Sequence, residues 1–258
     1  MSKDKTKKLL INSCVILIWI LIWKGISLLI NQELLVAPPE KVLSKIISLA
    51  GTTDFWRITA ISIYRITVGF LIGAISGTLF AVITCSSPII YAFFKPVLSM
   101  IKATPVVSFI ILALVWIQGG KIPAFISFLM VFPIIWGNVS KGIAQTDRNL
   151  LDMAKVYHLT KTSIFTKIYL NSVLPYFAAA ATTSMGLAWK AGIAAEVLAT
   201  PRFAIGTSIY DAKIYLETVD LFAWSIIVII MSVLLEKLVA VLLNTVERGV
   251  KSGVETDE

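Results

Sequence analysis

Long apolar runs constrain this chain more than any other feature of its sequence. Several runs of about 20 residues recur, and a helix of that length crosses a hydrocarbon core of about 30 Å. Of the 258 residues, 57% are hydrophobic and only 15% are charged, whereas about a quarter of the residues of a soluble domain are charged. A transmembrane β-barrel would instead show short segments of alternating hydrophobicity. We therefore predict an all-α polytopic membrane protein, a helical bundle with one membrane domain.

Six transmembrane helices fit the apolar runs. Their predicted ranges are 9–30, 57–84, 95–117, 122–142, 173–198 and 219–243. The first run is longer than the apolar core of a signal peptide, and no small-residue cleavage site follows it, so we expect it to be retained as a span. Pro105 is expected to kink the third span.

The distribution of lysine and arginine predicts how the spans are oriented. Basic residues concentrate in residues 1–8 and in a polar segment after the fourth span, whereas the two segments on the opposite side are balanced in charge. The positive-inside rule therefore places the N-terminus, the polar segment and the C-terminus in the cytoplasm. The predicted domains are the cytoplasmic N-terminus 1–8, the first transmembrane helix 9–30, an external segment 31–56 with an amphipathic helix, the core transmembrane domain 57–245 with a cytoplasmic segment 143–172, and a cytoplasmic tail 246–258.

The polar segment, roughly Ser140 to Asn171, is the most informative interruption of the apolar pattern. Apolar residues recur at helical spacing within Asn149 to His158, and a second helix is expected from about Thr162 into the fifth span. A short helix with exposed apolar side chains fits a groove on a cytoplasmic partner. The alternative is an amphipathic helix that rests on lipid headgroups. The side chains expected to be exposed are Leu151, Ala154, Val156 and Tyr157.

Small residues recur in the second and fifth spans. Gly69, Gly73 and Gly77 are spaced by four residues, which places them on one helix face. Such a face lets helix backbones approach closely, so we expect helix packing there. The small residues of the fifth span leave two interpretations open, namely packing within the bundle, or a subunit interface or pathway.

Two ionisable residues of the fifth span, Lys190 and Glu196, are candidates for a pathway. Charged side chains inside a membrane are costly, and they mark functional sites by default. Six residues separate the two, so they lie about 120° apart around a helix and each needs another partner or water. Either they face a wet cavity, with Trp189 beside them, or they snorkel or pair structurally with other helices.

The sequence offers little to an enzyme. It has no G-x-x-x-x-G-K-[ST] phosphate-binding loop and a single histidine, His158, so we predict no catalytic site, no metal site and no cofactor in this chain. The net charge of +8 concentrates at the ends of apolar runs, which is a topology signal and argues against nucleic acid as a partner. Cys14 and Cys85 have neither disulfide nor metal spacing, and they are expected to pack as small apolar residues.

The polar segment carries a degenerate form of a known motif, which reads Glu-Ala-Ala, three residues, Gly, nine residues, Ile-x-Leu-Pro. Asp152-Met153-Ala154 stand at Glu-Ala-Ala and His158 stands at the glycine. Ile168 and Leu170 match, Asn171 stands at the first proline, and Pro175 matches a second proline. Further stretches agree in order and spacing: Ser62-Ile63-Tyr64-Arg65 before Gly69-Phe70, Lys102-Ala103-Thr104-Pro105 through Trp116, Phe132-Pro133-Ile134 with Gly142, and Trp189 through Glu196.

Over about residues 35–245 the chain thus resembles the membrane subunit of ATP-binding-cassette importers, in the branch for nitrate, sulfonate, taurine and related solutes. The resemblance implies the type I importer transmembrane fold, two membrane subunits (identical or different) around a central pathway, two cytoplasmic ATPase subunits, and an extracytoplasmic substrate-binding protein. It assigns ATPase coupling to Leu151, Asp152, Ala154, Lys155, Tyr157 and His158. Glycine at the position of His158 would permit a positive φ, which histidine adopts less readily, so either the turn is built differently or the ATPase has adapted.

Two other functions compete with the importer permease. One is an ion-coupled carrier that uses Lys190 and Glu196 without ATP, and the other is a membrane scaffold that transports nothing. Copurification of an ATPase subunit separates the first hypothesis from both. The substrate itself cannot be derived from these residues, because a separate binding protein is expected to select it.

Overall fold

The computed structural model describes residues 2–255, which form helices joined by short connections. The helices are α1 (Ser2–Ile30), α2 (Pro39–Ala50), α3 (Thr53–Cys85), α4 (Pro88–Ala103), α5 (Val106–Trp116), α6 (Ile122–Ala144), α7 (Arg148–Val156), α8 (Lys161–Ser163), α9 (Leu170–Ala199), α10 (Ile205–Ile214) and α11 (Thr218–Glu255). A 3₁₀ turn, Gly119–Lys121, precedes α6, and a π-helical stretch, Ile164–Tyr169, joins α8 to α9. The predicted all-α fold is confirmed. Met1 and the last three residues of the predicted tail 246–258 lie outside the described residues.

Four helical segments of the described chain are long and apolar enough to cross a membrane, and the pair α4–α5 adds a fifth if it forms one span. The four segments are Ser13–Ile30, Thr53–Cys85, Gly119–Ala144 and Thr218–Gly249. Helix α9, at the place of the predicted fifth span, has 30 residues, which is long enough to cross. It is less apolar than the others because alanine, threonine, Lys190 and Glu196 take the place of large apolar residues. Five of the six predicted spans thus lie within one continuous helix each.

The predicted third span, 95–117, is wrong as a single helix. Helices α4 and α5 meet at an angle of 100°, with the break at Thr104 and Pro105. Pro105 has no N–H with which to continue the helix, and a residue before proline is pushed out of the helical region. Thr104 is accordingly extended, with φ −78° and ψ 131°. The expected kink is a complete break.

The glycine repeat of α3 lies against α6. A methyl group added at Gly69 would lie 2.1 Å from the carbonyl oxygen of Ala124, and one added at Gly73 would lie 2.8 Å from Cβ of Val131. Added carbon at Gly77 would lie 2.8 Å from the carbonyl oxygen of Phe132. The repeat therefore allows α3 and α6 of the same chain to pack backbone against backbone, as small residues do in membranes.

The centre of the bundle lies between α3, α6, α9 and α11. Trp136 of α6 is buried there, and its indole N–H donates to Thr84 Oγ1 at 2.8 Å. The outer side of α3, in contrast, exposes mainly large apolar residues over its second half, as a surface in contact with hydrocarbon requires. These residues are Leu71, Ile72, Ile75, Leu79, Val82 and Ile83.

Candidate functional site

The polar segment folds into the predicted short helix, α7. Asp147 caps it, because its carboxylate accepts a hydrogen bond from the Asn149 N–H at 2.8 Å. One side of α7 is apolar and open to its surroundings. The residues of this apolar face are Leu150, Met153, Val156 and Tyr157, with exposed fractions of 42%, 48%, 75% and 72%.

The predicted set of exposed residues on α7 was partly wrong. Val156 and Tyr157 are exposed as expected, but Leu151 is only partly exposed and Ala154 is fully buried. Helix α7 packs against the π-helical stretch Ile164–Tyr169, so this segment has an inner side that the sequence pattern does not reveal. Ala154 therefore offers no surface to a partner.

His158 ends α7 with the conformation that glycine usually takes. Its φ is +50°, and two backbone hydrogen bonds close the turn: His158 N–H donates to the Lys155 carbonyl at 3.1 Å, and Leu159 N–H donates to the Ala154 carbonyl at 2.9 Å. This pair of bonds is the Schellman arrangement, in which a left-handed residue satisfies the last helical carbonyls. The turn is thus built as with glycine, and histidine bears the backbone cost.

Asp152 and Lys155 form an ion pair on the surface of α7, with Nζ and Oδ1 2.8 Å apart. Hydrogen bonding to the Lys155 ammonium holds the pKa of the Asp152 carboxyl below its usual value. Both side chains are more than two thirds exposed, so the pair adds little to stability. Its effect is to place one charge of each sign beside the apolar face.

Glu196 ties three helices together from a fully buried position near the end of α9. Its Oε2 accepts hydrogen bonds from Ser62 Oγ of α3 at 2.9 Å and from the Gly206 N–H of α10 at 3.1 Å. Ser62 Oγ in turn accepts from the Ile205 N–H at 3.0 Å. These bonds satisfy two of the first N–H groups of α10. A helix N-terminus is a favourable place for a carboxylate.

Arg65 completes this arrangement from the outer edge. Its Nη1 lies 3.8 Å from Glu196 Oε1, and its Nη2 donates to the Arg202 carbonyl at 3.0 Å. The connection between α9 and α10 is thus held by α3. Of the two alternatives for Glu196, a wet cavity or structural pairing with other helices, this geometry supports structural pairing.

Residues 69–252 match the family described as "Binding-protein-dependent transport system inner membrane component". The chain belongs to this family. It is 30% identical over 160 residues to a bicarbonate transport system permease protein of Synechocystis sp., which covers 61% of this chain and 56% of the relative. It is 28% identical over 206 residues to a nitrate import permease protein of Leptolyngbya laminosa, with coverages of 79% and 70%. A taurine transport system permease protein of Escherichia coli is 21% identical over 220 residues, with coverages of 83% and 80%.

Membership in this family, together with the apolar helices, makes the chain a multi-pass protein of the plasma membrane. The matched relatives are permease proteins by description, which agrees with the absence of a phosphate-binding loop from the sequence. The match spans just over half the length of the bicarbonate permease.

The permease holds Trp189 and Lys190 in different surroundings, although the two are neighbours in α9. Trp189 is fully buried, and its indole N–H donates to the Val228 carbonyl of α11 at 3.0 Å. It therefore packs α9 on α11. Lys190 is exposed and makes no ion pair or hydrogen bond with the described residues. Since Glu196 lies in the buried cluster with Ser62, the two predicted pathway charges do not share a surface.

Glu236 of α11 is an intramembrane acid that the sequence analysis missed. Its carboxylate rests on α9 at Gly186, where an added methyl group would lie 1.9 Å from Glu236 Oε1. It accepts a hydrogen bond from Ser232 Oγ at 3.3 Å. The rule that selected Lys190 and Glu196, an ionisable residue within an apolar run, applies equally to Glu236 in the predicted span 219–243.

Proposed function

We propose that this permease is the membrane subunit of an ATP-driven importer. It pairs with a second permease subunit, docks cytoplasmic ATPase subunits through α7, and passes a small solute from an extracytoplasmic binding protein across the membrane by alternating access. The observation that carries the proposal is the apolar face of α7, outside every apolar run.

The shape and composition of α7 support a protein groove as its partner. Three large apolar side chains of a nine-residue helix share one side with Tyr157, which directly follows the helix, and this is the pattern of helix-in-groove recognition. Contiguous patches of exposed apolar side chains are uncommon on protein surfaces, and they often mark a site of interaction with another protein. The ion pair Asp152–Lys155 supplies polar contacts at the rim of the same helix.

The connection from α7 into the bundle supports a mechanical role. The chain leaves α7 through the His158 turn and α8, and it enters α9 through the π-helical stretch. α9 packs against α3, α6 and α11, so a displacement of α7 reaches the centre of the bundle. π-helical turns occur frequently at functional sites.

The substrate class follows from the relatives rather than from this chain. The permeases matched are described for bicarbonate, nitrate and taurine, each of which carries an anionic group at neutral pH. We therefore propose a small anionic solute. The rival ion-coupled carrier needed Lys190 and Glu196 on one wet surface, and their separation in the structure removes its support.

Copurification tests the docking proposal. Val156→Asp places a charge on the most exposed residue of the apolar face, and Ile47→Asp places the same charge on a similarly exposed apolar residue of α2, 66% exposed against 75% for Val156. We expect the ATPase subunit to copurify with the wild type and with the Ile47 variant, and to be lost from the Val156 variant. Retention of the ATPase by all three proteins would contradict docking through α7, and its absence from all three would contradict the importer assignment.

A further inference from the structure

Between Pro175 and Lys190, helix α9 exposes one narrow stripe, and Leu198 near the end of the helix is exposed as well. The exposed positions are spaced by three or four residues, which keeps them on one side of the helix. They run over about 22 Å at 1.5 Å per residue, most of the thickness of a hydrocarbon core. We call this set the α9 stripe: Pro175, Ala179, Thr183, Leu187 and Lys190.

The composition of the α9 stripe does not suit contact with lipid. At comparable positions the exposed residues of α3 are leucine, isoleucine and valine, including Leu71, Ile75 and Leu79, whereas Ser76 and Thr78 are only partly exposed and bond to carbonyls of their own helix. The α9 stripe offers a hydroxyl at Thr183 and an ammonium at Lys190 beside Pro175, Ala179 and Leu187. Side chains of this kind inside a membrane face water or another protein surface.

Glu236 adds a carboxylate at the middle of the same stripe. It lies on Gly186, which is three residues from Thr183 and four from Lys190, so all three residues belong to one side of α9. Neither Glu236 nor Lys190 takes part in an ion pair within the part of the chain that the structure describes. Two ionisable side chains without an ion-pair partner are costly in hydrocarbon, so at this depth they face water or another polar surface.

A groove continues this polar surface between α9 and α11. Its volume is about 430 Å³, and it is lined by Thr182, Thr183, Asn244 and Glu247 among small apolar residues. By contrast, the groove on the other side of α9, which includes Phe70, Leu174 and Leu243, has an apolar lining. Polar groups thus follow α9 from the end that adjoins the polar segment to Lys190.

We propose that the α9 stripe, with Glu236, is a water-filled wall of the translocation pathway, and that Lys190 attracts the anionic group of the transported solute. This assignment rests on the proposed function for the identity of the solute, but the wetting of the stripe is a property of the chain itself. Glu236 keeps the middle of the wall hydrated, and the hydroxyl groups at Thr182 and Thr183 border the remaining path.

Thiol labelling in membrane vesicles from cells that produce the full chain tests the wall, whatever other subunits are present. Cys14 and Cys85 are exposed, so both are first replaced by serine. Thr183→Cys then probes the stripe, and Leu238→Cys is the control, because Leu238 is exposed and lies two residues from Glu236, about 200° around α11. Labelling after denaturation in SDS verifies that both thiols are reactive.

We expect a membrane-impermeant methanethiosulfonate to modify Thr183→Cys and to leave Leu238→Cys unmodified. No labelling of Thr183→Cys in the folded protein would mean that a dry interface covers the stripe, and it would overturn the proposal. Equal labelling at both positions would overturn it as well, because the wetting would not be confined to this face.

The charge of the reagent tests the role of Lys190 without knowledge of the substrate. At Leu187→Cys, one turn from Lys190, we compare an anionic sulfonatoethyl reagent with a cationic trimethylammonium reagent. Combining Leu187→Cys with Lys190→Gln should slow modification by the anionic reagent several-fold relative to modification by the cationic reagent. An unchanged ratio would overturn the assignment of Lys190. Neither labelling experiment depends on an ATPase, so failure of the proposed function and failure of this inference give different results.

Discussion

Removal of the Glu196 carboxylate tests how the structure holds α10 against the bundle. Glu196→Ala deletes the acceptor of two hydrogen bonds, from Ser62 Oγ at 2.9 Å and from the Gly206 N–H at 3.1 Å. A hydrogen bond to a charged group contributes about 1.5–3 kcal/mol, and a donor left buried without a partner adds to the loss. Some of this is offset, because the variant no longer buries a charge, so we expect a net loss of about 3–5 kcal/mol.

Glu196→Gln is the matched control for this prediction. Both bonds reach the same oxygen, Oε2, and an amide oxygen can occupy that position and accept both. The amide NH₂ then takes the place of Oε1, which has no hydrogen-bond partner in the described residues and lies 3.8 Å from Arg65 Nη1. We therefore expect a loss of no more than about 1–1.5 kcal/mol, the difference between charged and neutral hydrogen bonds after relief of charge burial.

Thermal unfolding in detergent, followed by tryptophan fluorescence, measures both variants. A change of 1 kcal/mol shifts Tm by about 2–4 °C for a protein of 150–250 residues, so Glu196→Ala should lower Tm by roughly 6–20 °C and Glu196→Gln by less than about 6 °C. Equal and large shifts would mean that the charge and its attraction to Arg65, rather than the two hydrogen bonds, hold the structure. No shift in Glu196→Ala would refute the structural role altogether.

Two further substitutions probe the packing and the turn. Gly69→Ala should lower Tm by several degrees, because overpacking costs about 1–3 kcal/mol and the added carbon would meet backbone 2.1 Å away. The control is Gly25→Ala, which should leave Tm unchanged because an added carbon there meets nothing within 4 Å. Equal changes of Tm in the two variants would contradict the close contact of α3 and α6. His158→Gly should raise stability by up to about 1 kcal/mol and His158→Val should lower it by about 1–2 kcal/mol, since a left-handed residue is costly unless it is glycine. Loss of stability in the glycine variant, measured in the same thermal assay, would contradict the left-handed conformation of His158.

The sequence predicted the features that depend on local composition. Apolar runs located five of the six predicted spans as continuous helices, spacing by four identified the glycine face of α3, and the apolar periodicity of the polar segment located α7. Each of these signals lies in residues that are close together in the sequence, so it can be recognised without knowing which other helices pack against them. The spacing rule also placed the charges of α9 on different sides of the helix, as observed.

The errors concern residues whose role depends on distant partners. Glu196 and Glu236 give the same signal in sequence, an acid in an apolar run, but one is covered by Ser62 and Gly206 and the other borders an exposed stripe. Ala154 was expected to be exposed because the spacing of apolar residues in the sequence does not reveal that α7 packs on the π-helical stretch. The break at Pro105 was predicted as a kink because a proline inside a membrane helix is compatible with either outcome.

The most direct test of the account is a crosslink from α7 to an ATPase. A photoreactive residue at Val156, in a complex solubilised from intact membranes, is compared with the same residue at Ile214, which is 55% exposed and is expected on the opposite side of the membrane. The account predicts that Val156 yields a crosslinked product containing the ATPase subunit and that Ile214 yields none. Absence of that product from Val156, or its formation from both positions, would contradict docking of the ATPase on the apolar face of α7.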